Sequence, residues 1–299
     1  DLSSDPEFLS PYLGDRRLSD NSPSKTASTD QSEIGAYGNG AELSVYTSEY
    51  SITPTTQGDL TQNERWSGEV VLSGDVNVNW PWRLVIEPGT VVRVPAAVTL
   101  TINSLAHIAG TVASPIVFEV EGDGQWGGIN IKNTASPSVI QHAHISGGSN
   151  CIYLEGGAHE INRNIITGCS NAIFVDSGTP RIENNLLVEN IGQGVYVNRD
   201  SANPTIRYNT IDQNGGNGLY FSRSYNHGSA VVVENNIVTR NGLGWYYGSN
   251  VTRGYNNIWN NASADYTGIL AAETDLSSDP EFLSPYLGDR RLSDNSPSK

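Results

Sequence analysis

From about Glu69 the chain runs as short stretches in which apolar and polar residues alternate, rich in β-branched side chains and broken by Gly, Asn, Ser and Asp. No stretch carries the 3.6-residue apolar period of an amphipathic helix, so the pattern predicts many short strands. From Asn150 onward two motifs alternate. The first reads NCIYLEG, NAIFVDSG, QGVYVNRD, NGLYFSRS and LGWYYGS; the second reads INRNIIT, IENNLLVEN, IRYNTIDQN, VENNIVTRN and GYNNIWNN. Each returns about every 21 to 27 residues, the length of one coil of a solenoid.

Within the second motif one asparagine keeps its place: Asn164, Asn185, Asn209, Asn236 and Asn257. Coils stacked about 4.8 Å apart would bring these amides over one another at a corner, each bonding the next, as an asparagine ladder. A second column follows five residues later with Asn190, Asn214 and Asn241, and Cys169 takes that slot in its own coil. Ile161, Ile182, Ile206 and Val233, three residues before the first column, and Ile166, Leu187, Ile211, Val238 and Trp259, two after it, are the expected core.

The pattern G-I-x-L followed by I-x-N-N-x-I-x-x-N resembles the parallel β-helix repeat of the pectate-lyase-like superfamily, over roughly Trp66 to Asn261. The tail DPEFLSPYLGDRRLSDNSP is similar to the close of bacterial secreted β-helix proteins. The expected fold is therefore all-β, a right-handed parallel β-helix of about nine coils with asparagine ladders. WRLVIEPGTVVRV, VTLTINSLAHIAGTV, PIVFEV and GGINIK match the looser opening coils of such proteins, with a tight turn at Pro88-Gly89.

An identical segment, DLSSDPEFLSPYLGDRRLSDNSPSK, occupies Asp1 to Lys25 and again Asp275 to Lys299, an offset of 274 residues (275 − 1). The simplest source of such identity is an array of near-identical tandem units of that period, an engineered duplication being the alternative. The expected organisation is residues 1–40 as the tail of a preceding unit, 41–68 as a polar linker or N-terminal cap, 69–262 as the β-helix, and 263–299 as its own tail. The absence of methionine and the start at Asp1 suggest excision from a longer polypeptide.

A net charge of −15 excludes non-specific binding to nucleic acid or anionic membrane, and no apolar run is long enough to span a bilayer. The two cysteines match no zinc spacing; Cys151 and Cys169 fall near one corner of neighbouring coils, where a disulfide is conceivable.

Alternation in the first motif sends Tyr153, Phe174, Tyr196, Tyr220 and Tyr246 outward as a column of aromatics, a flat ribbon that either steadies the sheet by stacking or offers a surface to a glycan or a neighbouring fibre. Glu155, Asp176 and Asn198 are expected to form its polar margin. Enzymes of the resembled superfamily are hydrolases with clustered aspartates or calcium-dependent lyases with a basic residue. A hydrolase pair is not evident among Asp176, Asp200 and Asp212, and Arg199, Arg207 and Arg223 are the arginines open to a lyase. No cofactor is required, although calcium could be held by Asp275, Asp279 and Glu281 or their copies Asp1, Asp5 and Glu7. His142 and His144 would share one strand face without a third ligand, and Asn250 and Asn261 lie in N-x-S/T sequons.

The favoured function is a structural unit of an extracellular or cell-surface fibre or adhesin, with neighbouring copies as head-to-tail partners. A polysaccharide lyase or hydrolase and a non-catalytic glycan-binding module are the alternatives.

Overall fold

The structure is a computed structural model that describes residues 8–10, 15–18, 50–132, 136–222, 231–248 and 251–299, with side chains from residue 50 onward. It forms two compact units, Asp1–Ser51 and Ile52–Lys299. The first holds an antiparallel hairpin of Phe8–Ser10 with Asp15–Leu18, in which Phe8 lies opposite Leu18 and Ser10 opposite Asp15. The expected linker residues 41–49 lie outside the described residues.

The second unit is a parallel β-solenoid of three sheets. Sheet I stacks the first-motif strands, among them Asn150–Glu155, Asn171–Val175, Gln193–Val197, Asn217–Phe221 and Leu243–Tyr246. Sheet II stacks short strands such as Glu160–Asn162, Arg181–Glu183 and Thr205–Arg207. Sheet III is nine-stranded, from Glu69–Val71 to Asn257–Trp259. In the early coils Val76–Ile86 and Thr99–Ala109 are long enough to run through sheets I and II, pairing with each other along both. The solenoid starts earlier than the polar composition before residue 69 suggested: Gly58–Asp59 and Glu64–Trp66 already pair with Val76–Ile86. Buried Glu64 is accommodated there because its carboxylate accepts hydrogen bonds from the Thr55 backbone N–H and hydroxyl and from Trp66 Nε1.

Identical positions on successive coils build the core. Ile161, Ile182, Ile206 and Val233 are in register on sheet II, and Ile145, Ile166, Leu187, Ile211, Val238 and Ile258 on sheet III, all buried. Each such side chain contributes about 1.5–3 kcal/mol by leaving water. A column at the start of sheet I must be small: Cys151, Ala172, Gly194, Gly218 and Gly244. A Cβ on Gly194 would lie 2.4 Å from Ile211 Cγ2, and one on Gly218 2.4 Å from Val238 Cγ1, so the strand can approach the sheet III core only with these residues. Cys151 and Cys169 form the disulfide that the sequence left open.

One device makes both corners that flank sheet III. A single residue with positive φ turns the chain, and from Arg163 onward a ladder asparagine follows it. Before sheet III the positive-φ residues are His142, Arg163, Asn184, Tyr208, Asn235 and Tyr255; after it come Glu189, Gln213, Arg240 and Asn260. The buried asparagine then satisfies backbone groups that the corner leaves unpaired. Asn185 shows the pattern: its N–H and its Nδ2 both donate to Asn209 Oδ1, at 2.9 and 3.0 Å, and its Nδ2 also donates to the Ile161 carbonyl.

The first ladder runs Asn164, Asn185, Asn209, Asn236 and then Asn256, which corrects the expected Asn257. Both asparagines of GYNNIW fitted the motif, but the register pairs Ile237 with Asn257 and Val238 with Ile258, so Asn257 begins the strand. Ile258 is consequently the core residue and Trp259 is only partly buried. The second ladder, Asn190, Asn214 and Asn241, gains Asn261, and Cys169 N–H donates to Asn190 Oδ1 at its head.

Both ladders end on an aspartate. Asp275 Oδ1 accepts from Asn256 N and Nδ2, and Asp265 Oδ1 accepts from Asn261 N and Nδ2. An ionised carboxylate only accepts, so it closes a column whose last rung needs an acceptor and has no further coil to donate to.

Candidate functional site

The five predicted aromatics stand in register on the outer face of sheet I, each partly buried. They do not form a flat ribbon. Tyr153 and Phe174 stack at 5.4 Å with planes 19° apart, and Tyr220 and Tyr246 at 5.1 Å with planes 5° apart, but Tyr196 meets Phe174 at 47° and Tyr220 at 69°. Rings one strand spacing apart relieve face-to-face quadrupole repulsion by tilting, and here the tilt concentrates at Tyr196. Two stacked pairs thus flank an edge-on ring.

Three residues before the first four aromatics runs an amide row that the sequence reading missed: Asn171 Nδ2 donates to Asn150 Oδ1, Gln193 N–H to Asn171 Oδ1 and Asn217 N–H to Gln193 Oε1, and Leu243 ends the row beneath Tyr246. Its signal was the recurrent Asn or Gln that opens the first motif. On the other margin Asp176 is buried instead of outward and open, because its carboxylate accepts from Asn198 Nδ2 at 2.7 Å and from Arg199 Nε at 2.9 Å. Burial, with the nearby Asp176 and Glu155 charges, raises the Tyr153 phenol above its usual value.

Of the other two candidate aspartates, Asp200 is exposed and Asp212 has no exposure at all. Asp212 lies on sheet III, away from Asp176, and alternation turns it outward. Two arginines cover it: Arg240 bonds both carboxylate oxygens, at 2.8 and 2.6 Å, and Arg290 Nε donates to Oδ2 at 2.9 Å. Arg290 belongs to the tail and also reaches Glu189 and Gln213.

The tail first extends sheet III by a parallel bridge between Leu276 and Asn257. It then forms the hairpin Phe282–Ser284 with Asp289–Leu292, joined by the short turn Pro285–Leu287. Phe282 and Tyr286 lie 5.6 and 5.9 Å from the Arg240 guanidinium. Asn257, displaced from the ladder, instead donates to the Ser278 carbonyl and Ser298 Oγ. The tail is therefore a latch on the outer face of sheet III, and Asp212 is its anchor.

The acidic set Asp275, Asp279 and Glu281 does not converge. Asp275 closes the first ladder and accepts from the Tyr266 hydroxyl and Ala272 N–H, Asp279 accepts from Glu281 N–H, and Glu281 accepts from the Ser293 hydroxyl. Among the described residues no group of three His, Cys, Asp or Glu side chains is placed to hold a metal ion. The copies Asp1, Asp5 and Glu7 lie outside the described residues, as do Arg223 and the Asn250 sequon. The Asn261 sequon is engaged in the ladder through Nδ2. His142 occupies a corner with φ 47°, so it does not share a strand face with exposed His144.

The sequence reading also passed over His159, which is fully buried with Nδ1 accepting from Ser138 N–H at 3.1 Å. Burial lowers its pKa from 6.5 to about 4. The folded state thus holds His159 neutral, and the associated stability is complete above pH 6.5 and drains away as pH falls from 6.5 toward 4. The difference is worth about 3 kcal/mol. In urea titrations at pH 7 and pH 4.5, His159→Asn, which keeps an acceptor for Ser138, is expected to lose less stability on acidification than the wild type. Equal losses would remove His159 as a cause.

Comparison with curated proteins found no significant match. A family profile described as the right handed beta helix region matches residues 127–277, the coils that carry both asparagine ladders and the aromatic column. The chain belongs to the right-handed β-helix family.

Proposed function

We propose that this chain is a structural repeat unit of an extracellular fibre or adhesin built from tandem β-helix units joined head to tail. The observation that carries the reading is the identical segment at residues 1–25 and 275–299. It forms the same hairpin twice: Phe8 opposite Leu18 and Ser10 opposite Asp15 at the front, Phe282 opposite Leu292 and Ser284 opposite Asp289 at the rear. A solenoid has strand edges at its two ends that neighbours can cover, and a tail that caps one coil stack before the next begins suits such an array. The disulfide between Cys151 and Cys169 supports an oxidising location outside the cytosol. Asp176 and Asp212 lie on different sheets and are each paired with arginine, which favours scaffold roles for both.

The test is the denatured, reduced mass of the polypeptide in its native source. A band far above 32.2 kDa, or a ladder spaced by one unit, is expected; a single band at 32.2 kDa overturns the tandem reading.

The aromatic column favours a second reading, a non-catalytic glycan-binding module, since partly buried rings suit stacking against sugar faces. Calorimetric titration with neutral and acidic oligosaccharides, comparing the wild type with Tyr196→Ala, tests it. Heat that Tyr196→Ala abolishes supports the reading, and no heat from the wild type dismisses it.

A further inference from the structure

The latch contacts fall within the duplicated segment. Arg290 on Asp212, Phe282 against Arg240, Asp275 at the ladder end and Ser298 on Asn257 all lie between residues 275 and 299. Their counterparts 274 positions earlier are Arg16, Phe8, Asp1 and Ser24, unchanged in identity. The front segment therefore carries every residue that the groove recognises, on a hairpin of the same backbone register. Its own β-helix already holds the rear copy in that groove.

We infer that the front segment, Asp1–Lys25, is a second latch whose site is the Asp212–Arg240 groove on sheet III of another copy of this β-helix. The recognition is ionic and directional. Asp212 has no exposure and sits between two guanidinium groups, one from the solenoid and one from the latch. A β-helix without a latch leaves that carboxylate with Arg240 alone and uncovers the outer row of Val188, Asp212 and Thr239, all buried in the latched state. An incoming copy with an arginine at the equivalent hairpin position restores both. The contact is heterologous, front segment of one copy to sheet III of another, so the rotation between copies sets whether a series of them closes into a ring or runs on as a filament. A tethered latch competes at high effective concentration, which keeps the rear copy in its own groove. The inference rests on the tandem reading for the source of the second β-helix, but its test does not.

Two full-length chains are mixed. The groove chain carries Arg290→Glu, which loosens its own latch, and Arg16→Glu, which disables its own front copy. The wild-type chain supplies an intact front copy. Sedimentation equilibrium of the mixture is expected to show a 1:1 complex of twice the chain's mass, and Arg16→Glu in the second chain is expected to weaken it at least tenfold. If both chains retain their β-sheet circular dichroism and stay separate, or if Arg16→Glu leaves the complex unchanged, the inference is overturned. Should Arg290→Glu unfold the groove chain, Arg290→Ala takes the same readout without placing a second carboxylate beside Asp212. A native polypeptide of one unit would sink the tandem reading and leave this result standing; a long native polypeptide with no complex in the mixture would do the reverse.

Discussion

Asn209→Ala is expected to lower the unfolding free energy by about 4 kcal/mol, because it opens the middle of a buried ladder. Asn209 Oδ1 takes hydrogen bonds from Asn185 N and Nδ2, and its own Nδ2 donates to the Ile182 carbonyl and Asn236 Oδ1. Alanine leaves the Asn185 N–H without an acceptor and the Ile182 carbonyl without this donor, in a site with 1% exposure. Asn209→Asp keeps the volume and the acceptors but cannot donate, and turns an anionic oxygen toward three acceptor oxygens, those of Ile182, Arg207 and Asn236. It is expected to cost as much as alanine, although the same residue type is native at the ladder ends, Asp275 and Asp265. Urea-induced unfolding of the two variants decides the matter. Wild-type stability for Asn209→Asp would mean that the direction of the ladder is unimportant.

The second large effect is expected at the latch. Asp212→Ala removes the shared anion from Arg240 and Arg290, whose side chains are 18% and 5% exposed. Stranding buried cations typically costs 3–5 kcal/mol, and the relief available here is release of the tail. Asp212→Ala is therefore expected to make the hairpin around residues 282–292 the first site of limited proteolysis. Arg290→Ala leaves Asp212 its two-oxygen contact with Arg240, and its loss is expected to be smaller. Equal protection of the tail in the wild type and Asp212→Ala would show that the strand bridge at Leu276 holds it without the ion triad.

The difference between the two sites explains what the chain made readable. The asparagine columns and isoleucine rows recur at coil spacing, and a stacked register is the only arrangement in which such periodic positions meet. The same periodicity puts Tyr153, Phe174, Tyr196, Tyr220 and Tyr246 on one outer face, where they stand. At the last coil two asparagines are adjacent, and the periodicity pointed to Asn257 where the ladder takes Asn256. Strand register with Ile237 and Val238, and hydrogen bonding to Asn236 on one side and Asp275 on the other, distinguish them. Ring tilt at Tyr196 was equally out of reach, since a repeat fixes where rings stand and not how neighbouring planes resolve their repulsion.

Asp212 marks the boundary most clearly. Alternation along Thr210–Asp212 turns it away from the core, and on that basis it is a solvated surface acid. Its burial is imposed by Arg290, 78 residues further along the chain, on a tail that has no coil period to betray its partner. By itself the sequence determined the solenoid, its ladders, its outward aromatic column and the identity of its two ends, because each is encoded by repetition along the chain. The tertiary structure alone decided which asparagine completes the ladder, that aspartates terminate both columns, and that the tail folds back to cover Asp212, because those depend on single contacts that do not repeat from coil to coil.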